Sequence, residues 1–154
     1  MRPAATLDEA ARMLLTAGVN SASVVDEQGR LLGMVGLKDI LRASTPSDQA
    51  ALVTRYTTLK DRARAAAVTR VQMVMARWVV HVDPATQVEE VAALLVHRGR
   101  HPLPVLQDGR VVGVIDRADV VRAILHSVPE PGAGAAGRRR TAWARVRMSS
   151  NTVI

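Results

Sequence analysis

The sequence predicts an α/β (α+β) protein built from two similar units. The first observation behind this prediction is an internal repeat, in which residues 3–43 match residues 84–123 at an offset of 81 that becomes 80 after one residue is lost in a turn. The second is that both copies show the same order of capped helix, β-hairpin and closing helix. Neither unit has enough apolar surface for a stable core alone, so we expect the two to pack as a pair.

The first unit opens with a helix whose start and end are both marked. Thr6 and Glu9 have the spacing of a capping box, and Gly18 is a helix-terminating residue. The apolar residues of this helix fall on one face: Leu7, Ala10, Ala11 and Leu14. The hairpin strands and the second helix are expected at residues 24–25, 31–35 and 37–43.

The second unit shows the same signals. Thr86 and Glu89 form another capping-box pattern, one residue out of register with the first, and Gly99 marks the end of the helix. Asp108-Gly109 is a strong hairpin signal. The strands and the closing helix are expected at residues 103–106, 111–115 and 117–125.

Composition divides the chain into a first repeat, a connecting helix, a second repeat and a Gly/Pro linker with a basic tail, with the boundaries 1–45, 46–70, 71–128 and 129–154. The formal net charge is +7, and the last segment contributes +4 of it, from five Arg less one Glu. Clustered Arg side chains suit phosphate binding, but Trp143 is the only aromatic residue near them, and single-strand binders supply several stacking rings. A disordered tail is therefore favoured over a docking strand for a partner, and nucleic-acid binding is the least favoured alternative.

Several classes of function are disfavoured by what the sequence lacks. It has no cysteine, which excludes disulfides and thiolate metal sites, and no apolar run approaches the ~20 residues of a membrane span. His97 and His101 have the spacing of helical metal ligands, but Gly99 and Pro102 are expected to end the helix first. No nucleophile–base pair or phosphate-binding loop is recognisable. We therefore expect a cytoplasmic protein that is not an enzyme and needs no metal or other cofactor.

Motifs in both units resemble the CBS domain, named for cystathionine β-synthase, in its tandem form. Residues 71–84 resemble the leading helix and first strand of that domain, with the strand expected at residues 78–82. Residues 101–106 (HPLPVL) resemble its Leu-Pro-Val strand. Residues 113–119 (GVIDRAD) resemble its Gly-apolar-apolar-Thr/Ser-x-x-Asp motif. Residues 23–26 and 33–39 take the same places in the first unit.

The resemblance covers residues 3–43 and 71–126 and implies two β-α-β-β-α repeats packed as a pseudo-two-fold pair, standing alone and forming a homodimer. It also implies an adenosine-containing ligand, such as AMP, ADP, ATP or S-adenosylmethionine, in the cleft between the repeats. In the family, the Asp of the motif contacts ribose hydroxyls and the Thr/Ser hydroxyl helps to hold phosphate. The residues assigned to ligand binding in this way are Asn20, Gly36, Asp39, Val80, His81, His101, Pro102, Pro104, Asp116 and Asp119.

The sequence departs from the motif at the hydroxyl position of both units. Gly36 replaces the hydroxyl residue in the first unit and Asp116 replaces it in the second. A carboxylate beside a phosphate is repulsive, so we expect the second unit to prefer an uncharged or cationic ligand, such as adenosine or S-adenosylmethionine. The structural alternative stays open, because Asp116 suits a helix N-cap and Asp119 suits its first turn.

The first unit also departs from the family at its start. Only Met1 and Arg2 precede Pro3, so the leading helix and first strand are expected to be absent, and residues 22–24 replace the Leu-Pro-Val segment. We expect either a degenerate site in this unit or a start that lies inside a longer gene, and favour the second.

The sequence thus predicts a regulatory module that senses an adenosine-type molecule and signals to an unknown partner protein. A ligand-free dimerisation adaptor is the alternative.

Overall fold

The computed structural model describes residues 1–43, 59–97 and 102–127. The described chain divides into two compact units, Met1–Val79 and the residues from Val80 onwards. The predicted helix end at Gly99, the predicted site residue His101 and the basic tail lie outside the described residues. None of the described helices is both long enough and apolar enough to cross a membrane.

The first unit contains four helices and one hairpin in its described residues. In chain order they are α1 (Leu7–Ala17), β1 (Ser21–Val25), β2 (Leu31–Gly36), α2 (Leu37–Ala43), α3 (Leu59–Val68) and α4 (Val71–Val74). The helix α1 packs against both α2 and α3. The predicted strand at residues 24–25 begins three residues earlier than expected, whereas α2 has the predicted bounds.

The predicted capping box of α1 is confirmed. The Glu9 amide donates to Thr6 Oγ1 over 3.2 Å, and the Thr6 amide donates to Glu9 Oε2 over 2.7 Å. This main-chain bond lowers the pKa of the Glu9 carboxyl. The helix ends at Gly18, whose φ of +65° is the left-handed conformation that favours glycine.

The core of the first unit forms between α1, α2, α4 and the β1–β2 hairpin. The antiparallel register places Ser23 opposite Met34 and Ser21 opposite Gly36. The apolar side chains at its centre come from all of these elements and from the chain start: Met1, Leu7, Ala10, Leu14, Ala22, Val24, Val35, Ile40 and Val71. The apolar face predicted for α1 is therefore the face that packs inward.

Met1 makes two main-chain hydrogen bonds to β1 in this unit. Its amino group donates to the Ser23 carbonyl over 3.0 Å, and its carbonyl accepts from the Val25 amide over 3.0 Å. The Met1 side chain is buried, and burial lowers the pKa of its amino group. No strand precedes α1 in the described residues, as expected, and Met1 makes these two main-chain bonds to β1 without forming a strand.

No helix precedes α1 in the described part of the chain, as expected, but a helix from later in the chain packs into the first unit. The helix α4, which resembles the leading helix of the second repeat, lies in the first unit, where Val71 is fully buried. The next residues bring Ala76 into an antiparallel bridge with Met34 on the outer edge of β2. The first unit is completed by a segment that follows it in the chain.

The second unit repeats the arrangement with one hairpin between two helices. Its elements are α5 (Val88–His97), β3 (Leu103–Gln107), β4 (Arg110–Ile115) and α6 (Arg117–Ser127). The strands β3 and β4 are antiparallel, with Leu103 opposite Ile115 and Pro104 opposite Val114. The core side chains are Val82, Val91, Leu95, Leu103, Val105, Ile115 and Val120.

The first strand expected at residues 78–82 is reduced to one bridge. Val82 pairs in parallel with Val105. The Val82 amide donates to the Pro104 carbonyl over 3.0 Å, and the Leu106 amide donates to the Val82 carbonyl over 2.8 Å. The next bond on either side would need an amide hydrogen at Pro104 or Pro84, and proline has none. The two prolines therefore limit the pairing to a single residue.

Candidate functional site

The candidate site lies at one end of the second unit's sheet. Leu103 begins β3 and pairs with Ile115, which ends β4, so the start of α6 lies beside the start of β3. Because Val82 runs parallel to β3, the residues before it extend toward the same end. The structure therefore brings the segment 80–82 and the segment 102–104 to the N-terminus of α6.

Two aspartates bind each other's main chain where α6 begins. Asp116 Oδ1 accepts from the amides of Ala118 and Asp119, over 2.8 and 3.2 Å, and Asp119 Oδ2 accepts from the Asp116 amide over 3.0 Å. The arrangement is a capping box with a carboxylate at both positions. The structural role anticipated for these residues is therefore confirmed, and it leaves Asp116 exposed and Asp119 buried.

Arg122 is a member of this network that the sequence analysis missed. Its Nη1 donates to Asp119 Oδ1 over 2.6 Å, and it is mostly exposed whereas Asp119 is 9% exposed at the side chain. A nearby cation stabilises the charge of a buried carboxylate. The signal for this pair was the spacing Asp119-x-x-Arg122, which places both side chains on one face of a helix.

The equivalent position in the first unit lacks a capping side chain. The Gly36 amide donates to Asp39 Oδ2 over 2.9 Å, as the Asp116 amide does to Asp119. A Cβ added at Gly36 would lie 3.0 Å from the Asn20 carbonyl oxygen and 3.1 Å from Ser21 Cβ. The backbone at Gly36 is therefore packed too closely for a larger residue without movement of its neighbours.

The strand β1 carries polar groups where the second unit has prolines. Ser21 and Ser23 correspond to Pro102 and Pro104 through the repeat offset of 81. Within the described residues, the hydroxyl oxygens of both serines are buried and without a hydrogen-bond partner. Buried hydroxyls in this state carry a desolvation cost that a polar partner would relieve.

The predicted site residues of the second unit are spread between surface and core. Val80 and Pro102 are half-buried, Pro104 is buried and His81 is exposed. In the first unit Asn20 is exposed, and its carbonyl accepts from the Leu37 amide over 2.9 Å. Among the residues that the structure describes, no group of three or more His, Asp or Glu side chains could hold a metal ion.

The fold and this site define a class of protein: a tandem pair of small α+β units in which an aspartate in the first turn of the closing helix accepts from the main chain three residues earlier. The sequence profile of the CBS domain matches residues 1–45 and 71–126. The chain belongs to the CBS-domain family, and CBS-domain pairs are regulatory modules.

Solved structures of this family are similar to the chain over most of its length. CBSX2 of Arabidopsis thaliana, crystallised in complex with AMP, is 26% identical and has a TM-score of 0.67, covering 84% of this chain and 89% of that one. The CBS domain of a CBS-domain-containing membrane protein from Sphaerobacter thermophilus is 29% identical, with a TM-score of 0.63, and covers 79% of this chain and 78% of that one.

A curated relative extends beyond the matched region. The uncharacterized protein MJ1225 of Methanocaldococcus jannaschii is 26% identical over 121 residues, which are 78% of this chain. The match spans 37% of the length of that relative, and 66% of the length of a protein from Acidianus ambivalens that is also 26% identical.

Proposed function

We propose that the second unit binds an adenosine-containing molecule where α6 begins, and that the protein reports the occupancy of this site to a partner protein. The observation that carries the proposal is the network of Asp116, Asp119 and Arg122 at the start of α6. The complex of CBSX2 with AMP supports an adenine nucleotide as the class of ligand.

Asp119 is suited to bind ribose hydroxyls without losing its structural bonds. Each of its oxygens accepts one bond in the described structure, from the Asp116 amide and from Arg122. A carboxylate oxygen has two acceptor directions, so each can accept a further hydroxyl. The ion pair with Arg122 holds the carboxylate in a fixed orientation.

Asp116 governs which form of the ligand is preferred. Its exposed carboxylate stands at the position of the family's hydroxyl residue. At ~5 Å and an effective dielectric constant of about 20, a single negative charge on a phosphate would be repelled by roughly 3 kcal/mol before screening by salt. We therefore expect adenosine or S-adenosylmethionine to bind more tightly than AMP, ADP or ATP.

Isothermal titration of the full chain with these five ligands tests the proposal. Asp116→Asn keeps a capping side chain and removes the charge, so it should increase the affinity for AMP relative to adenosine about tenfold, or about 1.4 kcal/mol. Asp39→Asn changes the corresponding network of the first unit and serves as the matched control. Absence of binding by all five ligands would overturn the proposal.

The second candidate function is a homodimeric adaptor, and the helix surfaces favour it. Both units leave large apolar side chains exposed at positions that correspond through the repeat: Leu15 and Leu41 in the first, Val96 and Val121 in the second. Apolar side chains exposed at matching sites suit contact with a second copy of the chain. Sedimentation of Leu41→Glu/Val121→Glu should then show a smaller species than the wild type, and Met73→Glu, also at an exposed position, should not.

A further inference from the structure

The segment 69–73 completes the first unit by binding the chain just before α1. This binding uses a short antiparallel ladder around the bridge between Thr6 and Arg70. Its main-chain bonds are Leu7 N to Thr69 O at 3.0 Å, Val71 N to Ala5 O at 2.8 Å and Gln72 N to Pro3 O at 3.0 Å. Val71 is fully buried in the core, and Leu7 beneath it is 1% exposed.

The chain that follows this segment then lies against the outer edge of β2, where Ala76 pairs with Met34. The Ala76 amide donates to the Met34 carbonyl over 2.8 Å, and the Met34 amide donates to the Ala76 carbonyl over 2.9 Å. The approach is so close that a Cβ added at Gly33 would lie 2.6 Å from the Ala76 oxygen. A glycine at position 33 is therefore required by the chain that lies against it.

Both corresponding surfaces of the second unit lack a covering segment among the residues that the structure describes. Val114 faces Pro104 as Met34 faces Ser23, so its amide and carbonyl also point away from the neighbouring strand. In the described ranges, no main-chain bond is made to this outer edge of β4 or to the Val88 amide that corresponds to Leu7. Val88 is half-buried where Leu7 is buried, and Gly113 corresponds to Gly33.

The C-terminal sequence contains a second copy of the segment that covers the first unit. Residues 139–148 (RRTAWARVRM) match residues 64–73 (RAAAVTRVQM) at an offset of 75, with five identities in ten positions. The identities include Arg145, Val146 and Met148, which correspond to Arg70, Val71 and Met73. The 18 Cα-to-Cα steps from Ser127 to Arg145 can reach ~60 Å when extended, more than a small unit's width.

We propose that residues 144–151 of this chain dock on the second unit as residues 69–76 dock on the first. Val146 fills the core beside Val88, the Ala144 carbonyl accepts from the Val88 amide, and Asn151 pairs with Val114 along β4. The occupant is the chain's own C-terminal segment, which carries the matching residues. The basic tail is then a structural part of the second unit.

Disulfide formation between introduced cysteines tests the predicted register. The wild-type chain has no cysteine, so a double variant forms at most one bond. Thr6 and Arg70 form a bridge without direct main-chain bonds between them, the closest kind of antiparallel pair, and Thr6→Cys/Arg70→Cys is the positive control. Gln87→Cys/Arg145→Cys should oxidise to a similar extent, and Gln87→Cys/Thr152→Cys should not.

Amide hydrogen exchange of the full chain tests the docking without cross-links. The Val88 and Val114 amides should exchange at least tenfold more slowly than exposed amides, and Val146→Asp should remove this protection while Leu7 and Met34 keep theirs. Val153→Asp is the matched control, because position 153 corresponds to Trp78, which is 90% exposed.

Unprotected Val88 and Val114 amides in the wild type would overturn the proposal, and so would protection that survives Val146→Asp. Cross-links found between chains rather than within one chain would also overturn it, in favour of exchange of the segment between two copies. Each readout is independent of any ligand, so a failed titration would leave this proposal standing.

Discussion

The two units share one design but begin their sheets with different pieces of chain. In the second unit Val82 follows a connecting segment and makes two main-chain bonds to β3. In the first unit Met1 makes the two corresponding bonds to β1, with every partner 81 positions earlier in the sequence. Met1 and Val82 are each 4% exposed. In each unit, therefore, one buried residue makes two main-chain bonds to the first strand of the hairpin.

The units also differ at the end of the sheet where the closing helix starts. The second unit has a charged network at that point. The first has a glycine packed against Asn20 and two serine hydroxyls that find no partner within the described residues. The second unit therefore has an ion pair at this end of its sheet in addition to the main-chain bonds of its aspartates. The first unit has instead a close main-chain contact at Gly33, where Ala76 lies against β2.

The largest effect in this comparison is expected from the two core leucines. Leu14 and Leu95 correspond through the repeat and are 0% and 1% exposed. Leu14→Ala and Leu95→Ala should each lower the free energy of unfolding by about 2–5 kcal/mol, because each loses buried apolar surface and leaves a cavity. Urea denaturation measures both, with Leu15→Ala as the control because Leu15 is 67% exposed.

A small loss at either core position would show that the core of that unit is not as close-packed as the described contacts indicate. Two separate transitions in Leu95→Ala would show that the units unfold independently of each other. A single transition in both variants would show that the two cores stabilise one cooperative structure.

The sequence predicts the local structure well, because local structure depends on signals a few residues apart. The capping box at Thr6, the left-handed Gly18, the two hairpins and the bounds of α2 all follow from such signals. The capping role of Asp116 and Asp119 was predicted on the same basis. Arg122 followed the same rule of helical spacing but was overlooked.

Tertiary pairings could not be predicted in the same way. The helix α4 was assigned by resemblance to the unit that follows it, whereas its hydrogen bonds join it to residues some sixty-five positions earlier. No sequence pattern marks the two main-chain bonds that Met1 makes to β1. The length of the strand at residues 78–82 was overestimated. Pro104 shortens this ladder only because its missing amide hydrogen faces the chain before Val82, and that pairing is not visible in the sequence.

The second-largest effect is expected at Gly33 and Gly113, which precede the outer-edge residues Met34 in β2 and Val114 in β4. Gly33→Ala should lower the free energy of unfolding by about 1–3 kcal/mol, because its Cβ would meet the Ala76 carbonyl at 2.6 Å and the chain must move away. If residues 144–151 cover β4, Gly113→Ala should have a similar cost. Thermal unfolding of the two variants gives the comparison, and a neutral Gly33→Ala would contradict the described approach of Ala76.

The smallest effect has the opposite sign and concerns Ser23, which takes the position of Pro104. Ser23 is 2% exposed, and its hydroxyl lacks a hydrogen-bond partner among the described residues. Its carbonyl accepts from the Met1 amino group. Ser23→Ala removes the hydroxyl and keeps the carbonyl, so the free energy of unfolding should rise by about 1 kcal/mol as the desolvation cost disappears. Urea denaturation that instead shows a loss would mean that the hydroxyl has a partner, such as a buried water, and that the first unit has a polar site of its own where the second has a proline.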